Sequence, residues 1–502
     1  MSMILSQKNL HLIPKENLTV PPESTFQLPE KVLQFGTGVL LRGLPDYFIN
    51  KANTQGIFNG KVAVVKSTKG DTTDFDAQDS LYTLCIRGLE HGQLIEENIV
   101  SSAISRVIAA DHHWPDVLTI AESDELQLIV SNTTEVGITL VNESIDQNPP
   151  ASFPAKLLAV LYHRFKAFNG TKESGLVIIA TELIPDNGIK LAAIVLQLAQ
   201  FNKLEASFVA WLTTANIFCN SLVDRIVPGK PDQQNLHQLE KELGYTDRLL
   251  TMAEPYRLWA IEGDEKVKKI LEFAVVDAGV VIAKDIEIYR ELKVRLLNGT
   301  HTLSCGIAFL LGIDTVKNAM QHEQVKNYIE VLMTSEISPA IPYQVTEKQT
   351  ADFSKIVIDR FANPFIEHLW HNITFQYTMK MKIRILPLLA NYYKIYGNMP
   401  DYIAFGFAAY LRFMKADKYE NGKYFGSLNG HAYLINDDSV EYFYRQQSTY
   451  VSDILNDQAF WKWDLNLMPG FVEAVNEKYD LIVKEGMQIA LAHLSASKIN
   501  LV

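Results

Sequence analysis

KVLQFGTGVLLRG, residues 31–43, begins as a short apolar strand (Lys31–Phe35), passes through Gly36-Thr37-Gly38 and continues as a helical pattern carried by Leu41, Leu44, Phe48 and Ile49. Glycines at a strand-to-helix turn let the main chain approach a pyrophosphate, and the amino end of the helix favours the anion. The third glycine of the usual dinucleotide fingerprint is missing, because the position three after Gly38 is Leu41. A tight β–α turn without a ligand is the alternative. The strand–helix context favours the binding role. On that reading Gln34, Phe35, Gly36, Thr37, Gly38, Val39, Leu40, Leu41 and Arg42 line a cofactor.

Working outward, KVAVVK (61–66), LQLIVS (126–131) and GLVIIAT (175–181) are further apolar strands separated by helical segments. Continuous apolar runs alternating with helices indicate a parallel sheet covered on both faces. The first 30 residues, with Pro14, Pro21, Pro22 and Pro29, form an irregular arm. Val280–Ala283 is the last strand-like run, and from Asp285 the pattern is helical almost to Val502. The expected organisation is therefore α/β. Residues 1–285 form a Rossmann-like dinucleotide-binding domain, and residues 286–502 form a helical domain that carries substrate and catalytic groups. A substrate is expected between the two.

The second strand closes on Lys66-Ser67-Thr68, where an NAD-binding fold usually has an acid for the ribose hydroxyls. A lysine can equally receive the 2′-phosphate of NADP, so the residues leave the choice open. The third strand ends in Asn132-Thr133-Thr134-Glu135, and Asn132, Thr133 and Glu135 are candidates for the nicotinamide side.

YRELKVRLLNGTH (289–301) carries a second constellation. At 100° per residue with Lys293 at zero, Asn298 falls near ~140° and His301 near ~80°, so one arc of a helix holds all three. Reduction of a ketone builds negative charge on oxygen, and a donor must be in place before hydride arrives. A lysine partly desolvated against Leu296 and Leu297 would be suited to giving and taking that proton near neutrality. Asn298 would donate to the same oxygen and His301 would hold a substrate hydroxyl. The bland alternative is a solvated lysine, a helix-interior asparagine and a core histidine. Tyr289 and Lys293 also spell the YxxxK pair of short-chain dehydrogenases. The upstream serine of that family is absent, since Val275-Val276-Asp277 stand there.

Composition limits the partners. The chain has 502 residues, with 46 Lys+Arg against 58 Asp+Glu and a formal net charge of −12. A general nucleic-acid or anionic-membrane binder needs a basic face, so neither is expected. No apolar run is long enough for a membrane span or a signal-peptide core. Cys85, Cys219 and Cys305 are far apart and never form CxxC, which fits a reducing, cytoplasmic setting. His112-His113 and His368/His371 lack a third spaced ligand, so no metal is expected. Composition does not set the oligomeric state.

KVRLLNGTH resembles the KxxxxNxxH signature of the polyol-specific long-chain dehydrogenases, the mannitol dehydrogenase family. SLVDRIVP (221–228), the FGxG turn, SNTTE (131–135), ATELIPDNG (180–188) and NPFIEH (363–368) resemble blocks of the same family, in the expected order. Its hexuronate branch looks nearest. The resemblance implies zinc-independent, NAD-linked reduction of the ketone of D-tagaturonate to D-altronate in hexuronate catabolism. The sister activities on fructuronate and on mannitol are the alternatives. It also implies Lys293 as general acid and base, Asn298 in the oxyanion site, His301 on substrate, and Asp224 and Arg225 of the SLVDRIVP block near substrate. One departure stands out: mannitol-type members carry a second oxyanion asparagine where this chain has Leu183.

A keto-uronate needs a partner for its carboxylate. YTMKMKIRILP (377–387) offers Lys380, Lys382 and Arg384: one face if extended, with Lys380 and Arg384 as neighbours if helical. A solvated basic stripe is the alternative. From a different class, a silent nucleotide-binding module would have no use for Lys293, Asn298 and His301 together.

Overall fold

The computed structural model describes residues 3–133, 136–446 and 449–499. Candidate Glu135 lies outside the described residues. The chain divides into two compact units, Met1–Arg87 with Leu94–Ile286, and Gly88–Gln93 with Glu287–Val502.

The first unit is built on six parallel strands, numbered β1 (Glu30–Phe35), β2 (Lys61–Lys66), β3 (Ile104–Ala109), β4 (Leu128–Ser131), β5 (Val177–Ala180) and β6 (Ile217–Cys219). Their order across the sheet is β3-β2-β1-β4-β5-β6, all neighbours parallel. Alternate residues feed two cores. Leu33, Phe35, Ala63, Val65, Ile129 and Ile178 pack on one face, and Val32, Val62, Val64, Leu128, Val130 and Ile179 on the other. That two-sided burial is why these strands read as unbroken apolar runs.

Val280–Ala283 does form a strand, but it pairs with Leu258–Glu262 in a separate three-stranded sheet that also contains Ser221–Asp224. Its residues are only partly covered after Val280, whereas every residue of β4 and β5 is buried. The N-terminal arm is irregular yet anchored: Leu5, Leu10, Ile13 and Leu18 are buried with Leu81, Cys85, Val100 and Tyr245.

The second unit is mostly helical, with one interruption that the helical pattern missed. Lys418–Glu420, Lys423–Leu428 and His431–Leu434 form an antiparallel meander. Both turns are Asn-Gly pairs with positive φ, Asn421-Gly422 (51°, 76°) and Asn429-Gly430 (50°, 80°). Asn-Gly between strands is a strong hairpin signal, and it was there to be read. No described helix is long and apolar enough to cross a membrane.

Candidate active site

In the first unit, the chain leaves β1 at the place where strand order reverses, between β1 and β4, which is where open α/β sheets take their ligands. Gly36 has φ +128°, and a Cβ there would lie 2.8 Å from the carbonyl oxygen of Asn132 at the end of β4. Only glycine permits that approach. At Gly38 a Cβ would meet nothing within 4 Å, so its lack of a side chain serves no packing inside the protein and leaves room for an outside group. This open edge beside a close-packed turn fits a dinucleotide phosphate. The helices Val39–Gly43 and Pro45–Thr54 follow it.

The ends of β4 and β5 are tied to each other beside this turn. Asn132 donates from its main-chain N to the Phe35 carbonyl (3.1 Å) and from Nδ2 to the carbonyl and hydroxyl of Thr181 (3.1 and 3.0 Å). Thr133 donates from N and Oγ1 to Oε1 of Glu182 (2.9 and 3.0 Å), while Ser131 Oγ donates to Oε2 (3.1 Å). Glu182, buried and accepting all three, is a positioning residue that sequence reading passed over. Its signal was an acid two residues past a fully buried strand.

Other candidates of this unit have different surroundings. Gln34, Phe35 and Leu41 point into the core: Gln34 is bonded to Asp46 (3.3 Å) and Phe35 packs on Phe153 with centroids 5.2 Å apart. Arg42 is buried, donates to the Leu249 carbonyl and lies over the Tyr82 ring (5.5 Å). Their side chains therefore shape the turn from beneath. Thr37, Val39 and Leu40 are half-buried at its surface. Lys66 is half-buried at the end of β2, close to Gly70. Leu183 is 61% exposed and offers no donor. Asp224 and Arg225 are buried. Arg225 donates to the carbonyls of Gly43 (2.6 Å) and Glu254 (2.9 Å), and its guanidinium rests over Tyr47 at 4.8 Å. Burial pulls Arg225 down to about 10, and its charge is spent on internal carbonyls.

In the second unit, Glu287–Leu292, Lys293–Gly299 and Thr300–Leu310 run into one another as one helix whose middle is a π turn. A π turn closes i→i+5 hydrogen bonds, so residues five apart come closer to one face than they do in an α-helix. Lys293 and Asn298 are five apart. The α-helical arithmetic, which set them ~140° apart, is corrected by this turn. Both are half-buried, and His301 is buried on the next turn.

The His301 ring lies flat on Phe361 (4.1 Å, 8°) and edge-on to His368 (5.2 Å) and Trp370 (5.8 Å). Its Nε2 has no hydrogen-bond partner among the described residues. Burial, and then His368, Arg360, Arg384 and Lys380, hold its pKa well below the ordinary value, so the ring is neutral. A second π turn, Met381–Ile385, packs against the first. Arg384 Nη1 donates to the Thr302 hydroxyl (3.1 Å) and approaches the Asn298 carbonyl (3.4 Å). Lys380 Nζ donates to the Ile373 carbonyl at 2.8 Å. Lys382 does not join them: its Nζ donates to the Phe460 carbonyl (2.6 Å) and sits over that ring (3.8 Å). A cavity of about 940 Å³ elsewhere in this unit, lined by Thr334, Tyr343, Thr350, Asn391 and Tyr396, holds none of these residues. Among the described residues no group of three or more His, Cys, Asp or Glu is placed to hold a metal ion.

A six-stranded parallel sheet of this order, with a glycine turn at its reversal point and a helical second unit, defines a Rossmann-type oxidoreductase. The chain belongs to the mannitol dehydrogenase family: the family's Rossmann domain matches residues 30–274 and its C-terminal domain residues 285–483. Its relatives include altronate oxidoreductases of Halalkalibacterium halodurans (37% identical, 93% of both chains) and Bacillus subtilis (37%, 93% of this chain and 95% of the relative). That of Escherichia coli is 35% identical over 93% of this chain and 97% of the relative. Two solved structures share the fold. One is a mannitol 2-dehydrogenase of Pseudomonas fluorescens in complex with NAD and D-mannitol (TM-score 0.69, 21% identity, 98% and 100% coverage). The other is a substrate-free D-sorbitol dehydrogenase (TM-score 0.80, 19% identity, 97% and 100% coverage).

Proposed function

We propose that the chain interconverts D-altronate and D-tagaturonate with NAD as hydride carrier: D-altronate + NAD⁺ ⇌ D-tagaturonate + NADH + H⁺. The observation that carries this reading is the 34–37% identity to altronate oxidoreductases over 93% of the chain. The π turn over Lys293–Gly299 supports it, because it brings Lys293 and Asn298 nearer to one face of the helix than regular α-helical geometry would.

NADH, held at the Gly36–Gly38 turn, would supply the hydride when bound. Lys293 gives its proton to the alkoxide that forms in reduction and takes it back in oxidation. Asn298 donates to the same oxygen and stabilises the charge as it develops. His301, neutral, meets a substrate hydroxyl with its Nε2. The second donor that mannitol-type members draw from an asparagine is missing at Leu183. Residues 1–285 hold the dinucleotide at the Gly36–Gly38 turn, and residues 286–502 hold the sugar acid. Lys66 also suits the 2′-phosphate of NADP. Three buried free thiols suit a reducing compartment, and the reaction is assigned to the cytoplasm.

The test is oxidation of NADH by purified protein with D-tagaturonate, D-fructuronate and D-fructose in parallel, repeated with NADPH. Preference for D-tagaturonate with NADH is the expected result. Preference for D-fructuronate would move the assignment to the sister activity. No oxidation with any of the three would overturn it.

A further inference from the structure

In the first unit, the end of β2 stands one strand away from the glycine turn, on the side opposite β4. Gly36 donates its main-chain N–H to the carbonyl of Val65 at 3.1 Å, so the next residue, Lys66, is held beside the turn. Neighbouring strands lie ~4.8 Å apart, a step that the link from pyrophosphate to ribose spans. A dinucleotide with its pyrophosphate at Gly36–Gly38 and its nicotinamide toward Asn132 therefore carries its adenosine ribose over the end of β2. Lys61–Val65 are buried, Lys66 is half-buried, and Ser67, Thr68, Lys69 and Gly70 are exposed. Gly70 (φ +123°) folds the loop back over the lysine: a Cβ there would lie 3.4 Å from Cε and 3.6 Å from Nζ of Lys66. Among the described residues the side chains of Lys66 and Lys69 have no hydrogen bond or ion pair. The acids that follow bond elsewhere: Asp71 accepts from the Thr73 main chain (3.2 Å), Asp74 from Arg248 (3.3 Å) and Asp76 from the Thr72 hydroxyl (2.7 Å).

We propose that Lys66, with Lys69 and the hydroxyls of Ser67 and Thr68, seats a phosphate on the 2′-oxygen of the adenosine ribose, so that the enzyme uses NADPH as well as NADH. This rests on the reading of the Gly36–Gly38 turn as a dinucleotide site. A fold selective for NAD closes its second strand on a carboxylate, which accepts from the ribose hydroxyls and repels a 2′-phosphate. Here the acid is absent and the charge is reversed. An ammonium on a flexible stem meets a phosphate as a point charge, and its donors and those of the hydroxyls reach the phosphate oxygens. The same groups also donate to an unmodified ribose hydroxyl, so NADH is not turned away. In a protein of net charge −12 this attraction comes from cations near the phosphate, because salt screens more distant charges over ~8–10 Å.

The experiment measures binding of NADH and NADPH by nicotinamide fluorescence, and of 5′-ADP against 2′,5′-ADP by calorimetry. Neither needs a sugar substrate. The native protein should bind NADPH within about tenfold of NADH. The ratio of NADPH to NADH affinity should persist in Lys66→Arg, fall by roughly 10-fold in Lys66→Gln and fall by about 100-fold or more in Lys66→Glu. Added salt should weaken 2′,5′-ADP more than 5′-ADP in the native protein, and Lys66→Glu should abolish that difference. NADPH binding more than about 100-fold weaker than NADH in the native protein would overturn the seat and leave the dinucleotide site standing. A ratio unaltered by Lys66→Glu, or equal losses for both cofactors, would do the same. Binding of neither cofactor would overturn the seat and the dinucleotide site together. Should Lys66→Glu not fold, Lys69→Glu at its exposed position should lower the same ratio, and an unaltered ratio there would overturn the proposal.

Discussion

The guanidinium of Arg295 donates to the main-chain carbonyl of Arg384 at 2.7 Å, joining the π turn of Lys293 and Asn298 to the π turn of Arg384. The same Nη1 donates to the Ile383 carbonyl (3.0 Å), and Glu291 accepts from Nε (2.9 Å) and Nη2 (3.2 Å). π turns leave carbonyls displaced from the regular ladder, and Arg295 satisfies two of them at once. Arg295→Lys keeps the charge beside Glu291 and loses the fork. Misplacement of the reacting groups should then lower kcat by about 10-fold or more, with NADH affinity kept. A fall in melting temperature with kcat intact would reduce Arg295 to a purely structural residue.

Lys293→Ala removes the proton donor and leaves the Gly36–Gly38 turn untouched. Turnover in both directions should fall by roughly 10²- to 10⁴-fold, while NADH binding measured by fluorescence stays within about twofold. Near-normal turnover would remove the proposed role of Lys293.

Asp46 lies wholly buried beneath the glycine turn, bonded to Gln34, with Oδ1 unpartnered among the described residues. Burial raises its pKa from 3.8 to about 7, and the bond from Gln34 and the charge of Arg42 offset only part of that. The folded state thus holds a proton more tightly than the unfolded one. The resulting stability is fully present below about pH 4 and is lost as pH rises through about 7, a swing of order 4 kcal/mol. Asp46→Asn should raise the melting temperature at pH 8 by several degrees, and the gain should shrink towards pH 5. A difference between the two proteins that does not vary with pH would contradict this account.

Much of the first unit could be read directly from the chain, because strands buried on both faces leave an unbroken apolar record: KVAVVK matches its strand residue for residue. Val280–Ala283 read as a strand because it too is an unbroken apolar run, although it is only partly covered, and periodicity carries no information about which sheet a strand joins. The meander at 418–434 has largely exposed strands rich in Lys and Tyr, so only its Asn-Gly turns announced it. At the candidate site, residue types located Lys293, Asn298 and His301, whereas the assumed 100° step misplaced Asn298. Lys380 and Arg384 come together as the helical alternative requires, while Lys382 turns to Phe460. Arg360 was invisible in advance, since nothing near it in sequence announces that its helix passes under His301. Glu182 carried only the weak signal of its place after a strand, because the donors it accepts from, Ser131 and Thr133, lie some 50 residues earlier at the end of another strand.

The π turns at 293–299 and 381–385 bear on what evolution can alter here. Each holds one residue more per turn than the helix around it, so removing a single residue would let the regular ladder close. Everything beyond the deletion would then rotate by about 100°, carrying Asn298 and His301 away from Lys293. Divergence in this part of the chain should therefore proceed by exchange of residues at constant spacing, with gaps and insertions collecting outside these two turns.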